Sequence, residues 1–498
     1  MNRLSLWQGT SQQPQFPSLT QNIETDVAVI GAGITGITAA MYLSEAGKNV
    51  AVVEANTIGS GTTACSTGNL HATVDQGIYL VNNKWDLETA QSVLESRSEI
   101  INSIENMVKK FNIECQFKRV PHFIYPTDDK QLNQIDQEFE VLASFGSQAS
   151  KVNNIPIPFP VTFAIKIDNQ AQFQPLTYVR ALAQRIAGEK CIIMENTRAL
   201  NIDFNKKEIV TSQGCIRADA IILATHTPLG FNPLQTVIAP YREYAIAAQM
   251  SQLQFYDGIY WTMEQPSHSI RAFTYKGVTY LVAIGEIHKT GHQDNNQNYY
   301  DKVEKFARAF FPIEKVNYYW AAQNYHPADS LPYIGESFGY ENIYVATGFG
   351  TNGLIYGPLA ASILADKIIG KENRWAHLYD SRRITPLKSA EDFIKENIDV
   401  AAQYAKDYLF PVSKENIDSI KPGEGRVVEM KGQKIAVCRN ENGELKSVKP
   451  GCTHLNCMIS WNKHDMSWDC PCHGSRFTPE GEVIEGPAMA KLEVIGLP

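Results

Sequence analysis

Two rhythms of apolar and polar positions run along the chain. Short runs at Asp26–Ile30, Asn49–Val53 and Asp219–Thr225 are apolar at successive positions, as expected of parallel strands covered on both faces. Elsewhere apolar residues recur every three or four positions. Residues 86–111 set Leu94, Ile101, Ile104, Val108 and Phe111 on one helical face. Leu176–Ile186 predicts a second helix, with Arg180 and Arg185 in solvent, and residues 357–369 a third. Strand-like runs fall at Thr197–Phe204, Glu208–Thr211 and Asn342–Ala346. Between 240 and 290, Tyr244–Met250, Ile270–Tyr275 and Val278–Ile284 predict antiparallel strands, with a turn at Lys276-Gly277. Ser389-Ala390-Glu391-Asp392 is a capping box opening a helix that ends before Pro411. Arg426–Met430 and Lys434–Arg439, with a turn at Asn440–Gly443, start a small all-β part.

A length of 498 residues makes more than one domain the expectation. The net charge of −8 speaks against a nucleic-acid partner, which favours a basic face. No apolar run approaches the roughly 18 residues of a membrane span. The N-terminal stretch has no apolar signal core, and Arg3 stands alone, so a cytoplasmic location is expected. Of nine cysteines, Cys65, Cys115, Cys191, Cys215 and Cys438 are scattered and read as buried thiols. The other four crowd the C-terminal end.

Gly31-Ala32-Gly33-Ile34-Thr35-Gly36 follows the first strand and opens a helix, and Glu54 ends the second strand. In that order the residues form a dinucleotide-binding fingerprint. Gly33 admits the pyrophosphate to the helix N-terminus, Gly36 lets helix and strand pack closely, and Glu54 takes ribose hydroxyls. The dinucleotide is FAD or NAD. A loop of small residues follows, with Gly61, Thr62, Thr63, Gly68, Asn69, Leu70 and His71, fit to run along an extended cofactor. Gly348-Phe349-Gly350-Thr351-Asn352-Gly353 repeats the glycine spacing, but no second strand with a terminal acid follows it. Tyr241, Arg242, Tyr244 and Arg271 are candidate substrate contacts, since a guanidinium fork matches a carboxylate. His288 and His292 lie four apart near Glu286 and Asp294, in an expected loop rather than on a helix that would present a metal-binding pair.

Near the C-terminus, Cys452-Thr453-His454 and Cys470-Pro471-Cys472-His473 offer two thiolates and two imidazoles from two short loops. A [2Fe–2S] cluster with histidines on one iron uses this ligand set, with Cys452 and Cys470 on one iron and His454 and His473 on the other. A Cys2His2 zinc site uses the same donors. The surrounding glycines and prolines, and the extra pair Cys457 and Cys472 at matching offsets, favour the cluster.

The segment resembles a Rieske domain of the cytochrome-complex type. That resemblance implies a disulfide between Cys457 and Cys472, and a hydroxyl donated by Ser475 to a cluster sulfur. It also marks Phe477 as standing where the family carries tyrosine. The chain from Ser5-Leu6-Trp7 past residue 350 resembles flavoproteins of the D-amino-acid-oxidase and glycine-oxidase superfamily. Within it, the gamma-glutamylputrescine-oxidoreductase-like proteins are the nearest in pattern. This likeness selects FAD. It implies cofactor contacts at Ala199, Ala224 and Thr225, and a 348–353 loop passing the flavin ring. It also raises covalent attachment through His71, although a plain polar contact accounts for that histidine.

The expected fold class is therefore α/β. A FAD-binding Rossmann-type domain (about 20–80, 176–230 and 328–372) carries an inserted α+β antiparallel-sheet substrate domain (about 81–175 and 231–327). A helix and linker over 396–424 lead to the all-β Rieske domain at 425–498. The resemblance implies oxidation of an amine or amino-acid C–N bond. Electrons pass from FAD to the cluster and then to an unknown one-electron acceptor. The alternatives are an electron-transfer reductase serving a partner protein, and an oxidase whose Rieske domain is structural.

Overall fold

The computed structural model describes residues 3–497 apart from 160, 252–256, 264–266, 294–296 and 384–416. The helix expected from Ser389 lies outside the described residues.

The apolar runs build one mixed sheet. Its main order is Tyr333–Glu336, Ile343–Thr347, Cys215–Leu223, Ile23–Ile30, Val50–Val53, Cys191–Met194, parallel except at the Tyr333–Glu336 edge, and the short strands Asn201–Asp203 and Glu208–Val210 add an antiparallel branch on Cys215–Leu223. Val27, Ala28, Val29 and Val50–Val53 are almost fully buried, which is why their pattern does not alternate. Helices Ile34–Glu45 and Gly353–Ile368 pack together in the same core. The latter helix begins earlier than the expected 357, with Pro358 inside it.

A second sheet of nine strands carries Ile238–Met250 next to its edge, between the edge strand Ile313–Pro327 and Val278–Lys289. The predicted turn there falls at Lys276 (φ 48°) and Gly277 (φ 80°). Helix Leu87–Lys110 buries Leu94, Ile101 and Ile104 against the main core. His288 lies on a strand rather than in a loop, and its ring meets the Tyr244 hydroxyl at 3.0 Å. Arg180 is a correction. It is buried, not solvated, and donates to the carbonyls of Ser11, Gln12 and Ile58, so it pins the N-terminal arm to helix Pro175–Ile186. Of the scattered cysteines, Cys115, Cys191 and Cys438 are buried while Cys65 and Cys215 are half-buried.

The C-terminal part is antiparallel throughout, with a three-stranded sheet (Gly425–Met430, Gln433–Arg439, Leu445–Val448) and a four-stranded one starting at Ser460–Asn462. Among the described residues no helix is long and apolar enough to cross a membrane.

Candidate flavin and iron-sulfur sites

The glycine fingerprint lies at the carboxyl ends of the central strands. Gly31 has φ +99°, and a Cβ there would stand 2.5 Å from the Ala224 carbonyl oxygen. A Cβ on Gly36 would stand 1.9 Å from the Gly31 oxygen, so strand, turn and helix close only with glycine at both positions. Glu54 accepts from the backbone N–H of Ala32 and of Asn56, both at 2.9 Å, and is thereby held at the end of its strand.

These elements open into a cavity of about 410 Å³, within the size range of cofactor sites. Its wall includes Gly31, Gly33, Ile34, Thr35, Glu54, Gly61, Thr62, Thr63, Asn69, His71, Ala199, Ala224, Thr225 and the loop Phe349–Gly353. Gly36, Gly68, Leu70 and Gly348 are not part of this wall. The cradle of glycines and small residues fits a dinucleotide. His71 is buried beside His122 and Trp261, with its Nδ1 3.1 Å from the Thr73 hydroxyl. Burial, then His122 and Arg97, drive its pKa far down, so the ring is neutral.

The four candidate substrate contacts go to different places. Arg242 lines the cavity but forms a buried ion pair, 2.6 Å from Asp465 of the C-terminal domain. Arg271 donates to the carbonyls of Thr67, Gly68 and Phe173 and does not reach the cavity wall. Tyr244 stacks on Tyr299 and meets Asn462. Tyr241 packs edge-on against His326.

At the other centre, the Cys452 and Cys470 thiols lie within hydrogen-bonding reach of each other. Cys470 and Ser475 both stabilise charge on Cys452, as do the N–H groups of His454 and Leu455, while Cys472 and His473 offer theirs to Cys470. The His454 and His473 rings lie 5.1 Å apart, edge to face. His454 Nε2 and His473 Nδ1 are buried without a hydrogen-bond partner. Two sulfurs ringed by N–H donors and two orphaned imidazole nitrogens fit a cluster that supplies the missing partners. Cys457 and Cys472 are joined as a disulfide, which removes them from the donor set although Cys457, Cys470 and Cys472 have sulfurs within 4.8 Å.

The histidine edge of this centre faces the flavoprotein. Tyr325 donates to the His473 carbonyl at 3.3 Å and to the Gly486 carbonyl at 3.2 Å, and Gln323 donates to the Gly474 carbonyl at 2.9 Å. Gly474, at φ +79°, sits so close that a Cβ would meet Pro240, Tyr325 and Gln323 within 3.0 Å. The Gly230 N–H donates to the Pro487 carbonyl, and the Ala488 N–H donates to the Ser475 hydroxyl. His226 Nδ1 lies 2.8 Å from Glu485. The cavity that the fingerprint opens is thus walled on one side by Arg476, Val483–Gly486, Ala488 and Met489. No signal in the sequence joined these residues to the flavin region, because such contacts join segments hundreds of residues apart.

Comparison with known proteins agrees with both halves. Residues 26–367 match the FAD dependent oxidoreductase family and residues 411–496 the Rieske [2Fe-2S] domain. The Bacillus subtilis protein YhfW, described as a Rieske 2Fe-2S iron-sulfur protein, is 33% identical over 99% of this chain and 97% of its own length. Gamma-glutamylputrescine oxidoreductase of Escherichia coli is 25% identical over 43% of this chain and 52% of its own. Glycine oxidase from Geobacillus kaustophilus superposes with a TM-score of 0.60 at 18% identity, covering 73% of this chain and all of that one, a likeness of fold. The chain belongs to the FAD dependent oxidoreductase family and carries a Rieske [2Fe-2S] domain at its C-terminal end.

Proposed function

We propose that the protein is a dehydrogenase of amines or amino acids that oxidises a C–N bond and sends the electrons through its Rieske centre to an external one-electron acceptor. The observation that carries this reading is the shared wall, since residues from both domains line one cavity. When bound, flavin supplies two-electron chemistry and the cluster one-electron chemistry.

In this reading residues 1–395 form the flavoprotein and 425–498 the Rieske domain. The fingerprint glycines and Glu54 hold the FAD pyrophosphate and ribose, and the Phe349–Gly353 loop meets the ring. Cys452, Cys470, His454 and His473 hold the cluster, and Ser475 orients a sulfur. Tyr325 and Gln323 fix the histidine edge against the flavin side. Arg242 and Arg476, set among Asp465, Asp469 and Glu485, form a buried charge cluster that ties the two parts together at the seam.

An anaerobic screen of amines and amino acids against the flavin- and iron-loaded protein tests this. The expected result is loss of flavin absorbance followed by loss of the oxidised-cluster bands. Reduction of flavin with no change at the cluster would favour the oxidase reading, and no reduction by any C–N compound would overturn the proposal.

A further inference from the structure

The arginines near the Glu243 end of the cavity are largely committed to protein acceptors. Arg271 is spent on three carbonyls. Arg97, fully buried and outside the cavity wall, donates through Nε and Nη2 to the carbonyls of His71, Ala72 and Thr73 and to Asn352, and only its buried Nη1 has no hydrogen-bond partner among the described residues. Arg242 and Arg476 share Asp465, Asp469 and Glu485, so two guanidinium groups face three carboxylates with no positive excess. Among the described residues no lysine lines the cavity. Arg198, the remaining arginine of the wall, stands near Glu54 at the fingerprint end, so beside Glu243 a substrate carboxylate would find no free fork on the wall.

Glu243 has the opposite standing. It is 8% exposed and lines the same cavity, and its hydrogen-bond partner is Asn324 Nδ2 at 3.0 Å. No ammonium or guanidinium of the described residues pairs with it. The pairing of Ile238–Met250 with Val278–Lys289 shifts register between Arg242 and Tyr244, which brackets Glu243. Such irregularities re-aim a side chain beside a site, and here neighbouring residues 242 and 243 both reach the cavity. A buried carboxylate left without a cation is costly unless a ligand brings one.

We propose that Glu243 binds the ammonium group of the substrate, and that the substrate is an alkylamine without a carboxylate on the carbon that bears nitrogen. This rests on the C–N oxidation proposed above and narrows it. Trp261 and the neutral His71 ring line the same cavity and offer apolar and π faces to an amine cation. Burial, with Asp75 adding to it, pushes Glu243 up to about 8, against Asn324 and His268, which pull it down. A bound cation favours the ionised form, so binding strengthens as pH rises through about 8 and fades once the amine deprotonates near pH 10.

The test uses tert-butylamine, which has no hydrogen on the carbon bearing nitrogen and cannot be oxidised, and pivalate, its carboxylate counterpart. Binding to the flavin- and iron-loaded protein is read by calorimetry at pH 8. The wild type binds the amine at least about tenfold more tightly than pivalate. Glu243→Gln loses about tenfold or more in amine affinity with pivalate unchanged, and Glu243→Asp recovers part of it. Pivalate binding as tightly as the amine to the wild type overturns the proposal, whether or not the variants fold. So does an unchanged amine affinity in a Glu243→Gln protein that retains its flavin. Flavin reduction by α-amino acids and not by amines would also sink it while leaving C–N oxidation intact.

Discussion

Replacing Asp465 by alanine cuts the seam at its most buried ion pair. The Asp465 and Arg242 side chains are only 9% and 3% exposed, and Arg476 adds a second contact at 3.3 Å. Removing one partner of a buried pair costs about 3–5 kcal/mol, and the low end applies here because Asp469 and Glu485 stay near Arg242. About 3 kcal/mol is roughly a hundredfold in the ratio of docked to undocked Rieske domain. The flavin fingerprint and cluster ligands are untouched. Rapid-mixing absorbance should therefore show substrate reducing the flavin at near the wild-type rate, with cluster reduction lagging. Lys449→Ala, at the exposed Lys449–Glu493 pair, is the control, and its effect stays under about 1 kcal/mol. Cluster reduction in Asp465→Ala as fast as in the wild type would refute the reasoning that the seam carries the electrons.

Phe477 is fully buried beside the cluster loops and has no hydroxyl to donate. Phe477→Tyr should raise the cluster midpoint by roughly 60–120 mV, the equivalent of one charge-assisted hydrogen bond, in a redox titration followed by electron paramagnetic resonance. Gly36→Ala places a Cβ against the Gly31 carbonyl and should yield protein with little flavin, visible as lost absorbance near 450 nm on the order of the whole band. Cys470→Ser should remove iron and acid-labile sulfide while flavin content holds, measured on the purified protein. Burial alone would raise Asp465, but Arg242 and Arg476 outweigh it and hold its pKa below the ordinary value. A carboxylate with a lowered folded-state pKa contributes stability above about pH 3.9 that is lost as pH falls through the lower folded value. Docking should thus persist at about pH 5 and loosen below about pH 4, followed by flavin-to-cluster electron transfer at each pH.

What was legible in the sequence is what local physics fixes. Strands buried on both faces announce themselves by unbroken apolar runs, as at Val50–Val53. A turn needing glycine and an acid at the next strand end announce a dinucleotide site, and the Cys452–His473 loops carry the proposed ligand set in a few dozen residues. Arg180 was misread as solvated because its acceptors, the Ser11, Gln12 and Ile58 carbonyls, are distant in sequence. Arg242 and Arg271 looked like free forks for the same reason. Glu243 carried no motif, since its aim depends on a register shift that pairing alone creates. The Val483–Gly486 wall of the flavin cavity was likewise invisible, because domain docking depends on complementary surfaces rather than on periodicity.

The central claim is that both redox centres work across one seam. Its most direct test is electron paramagnetic resonance on anaerobic protein, loaded with flavin and cluster and mixed with a reducing amine. The account predicts the reduced Rieske signal within a single turnover, appearing after the flavin bleaches. A flavin that stays fully reduced beside a cluster that stays oxidised would contradict it.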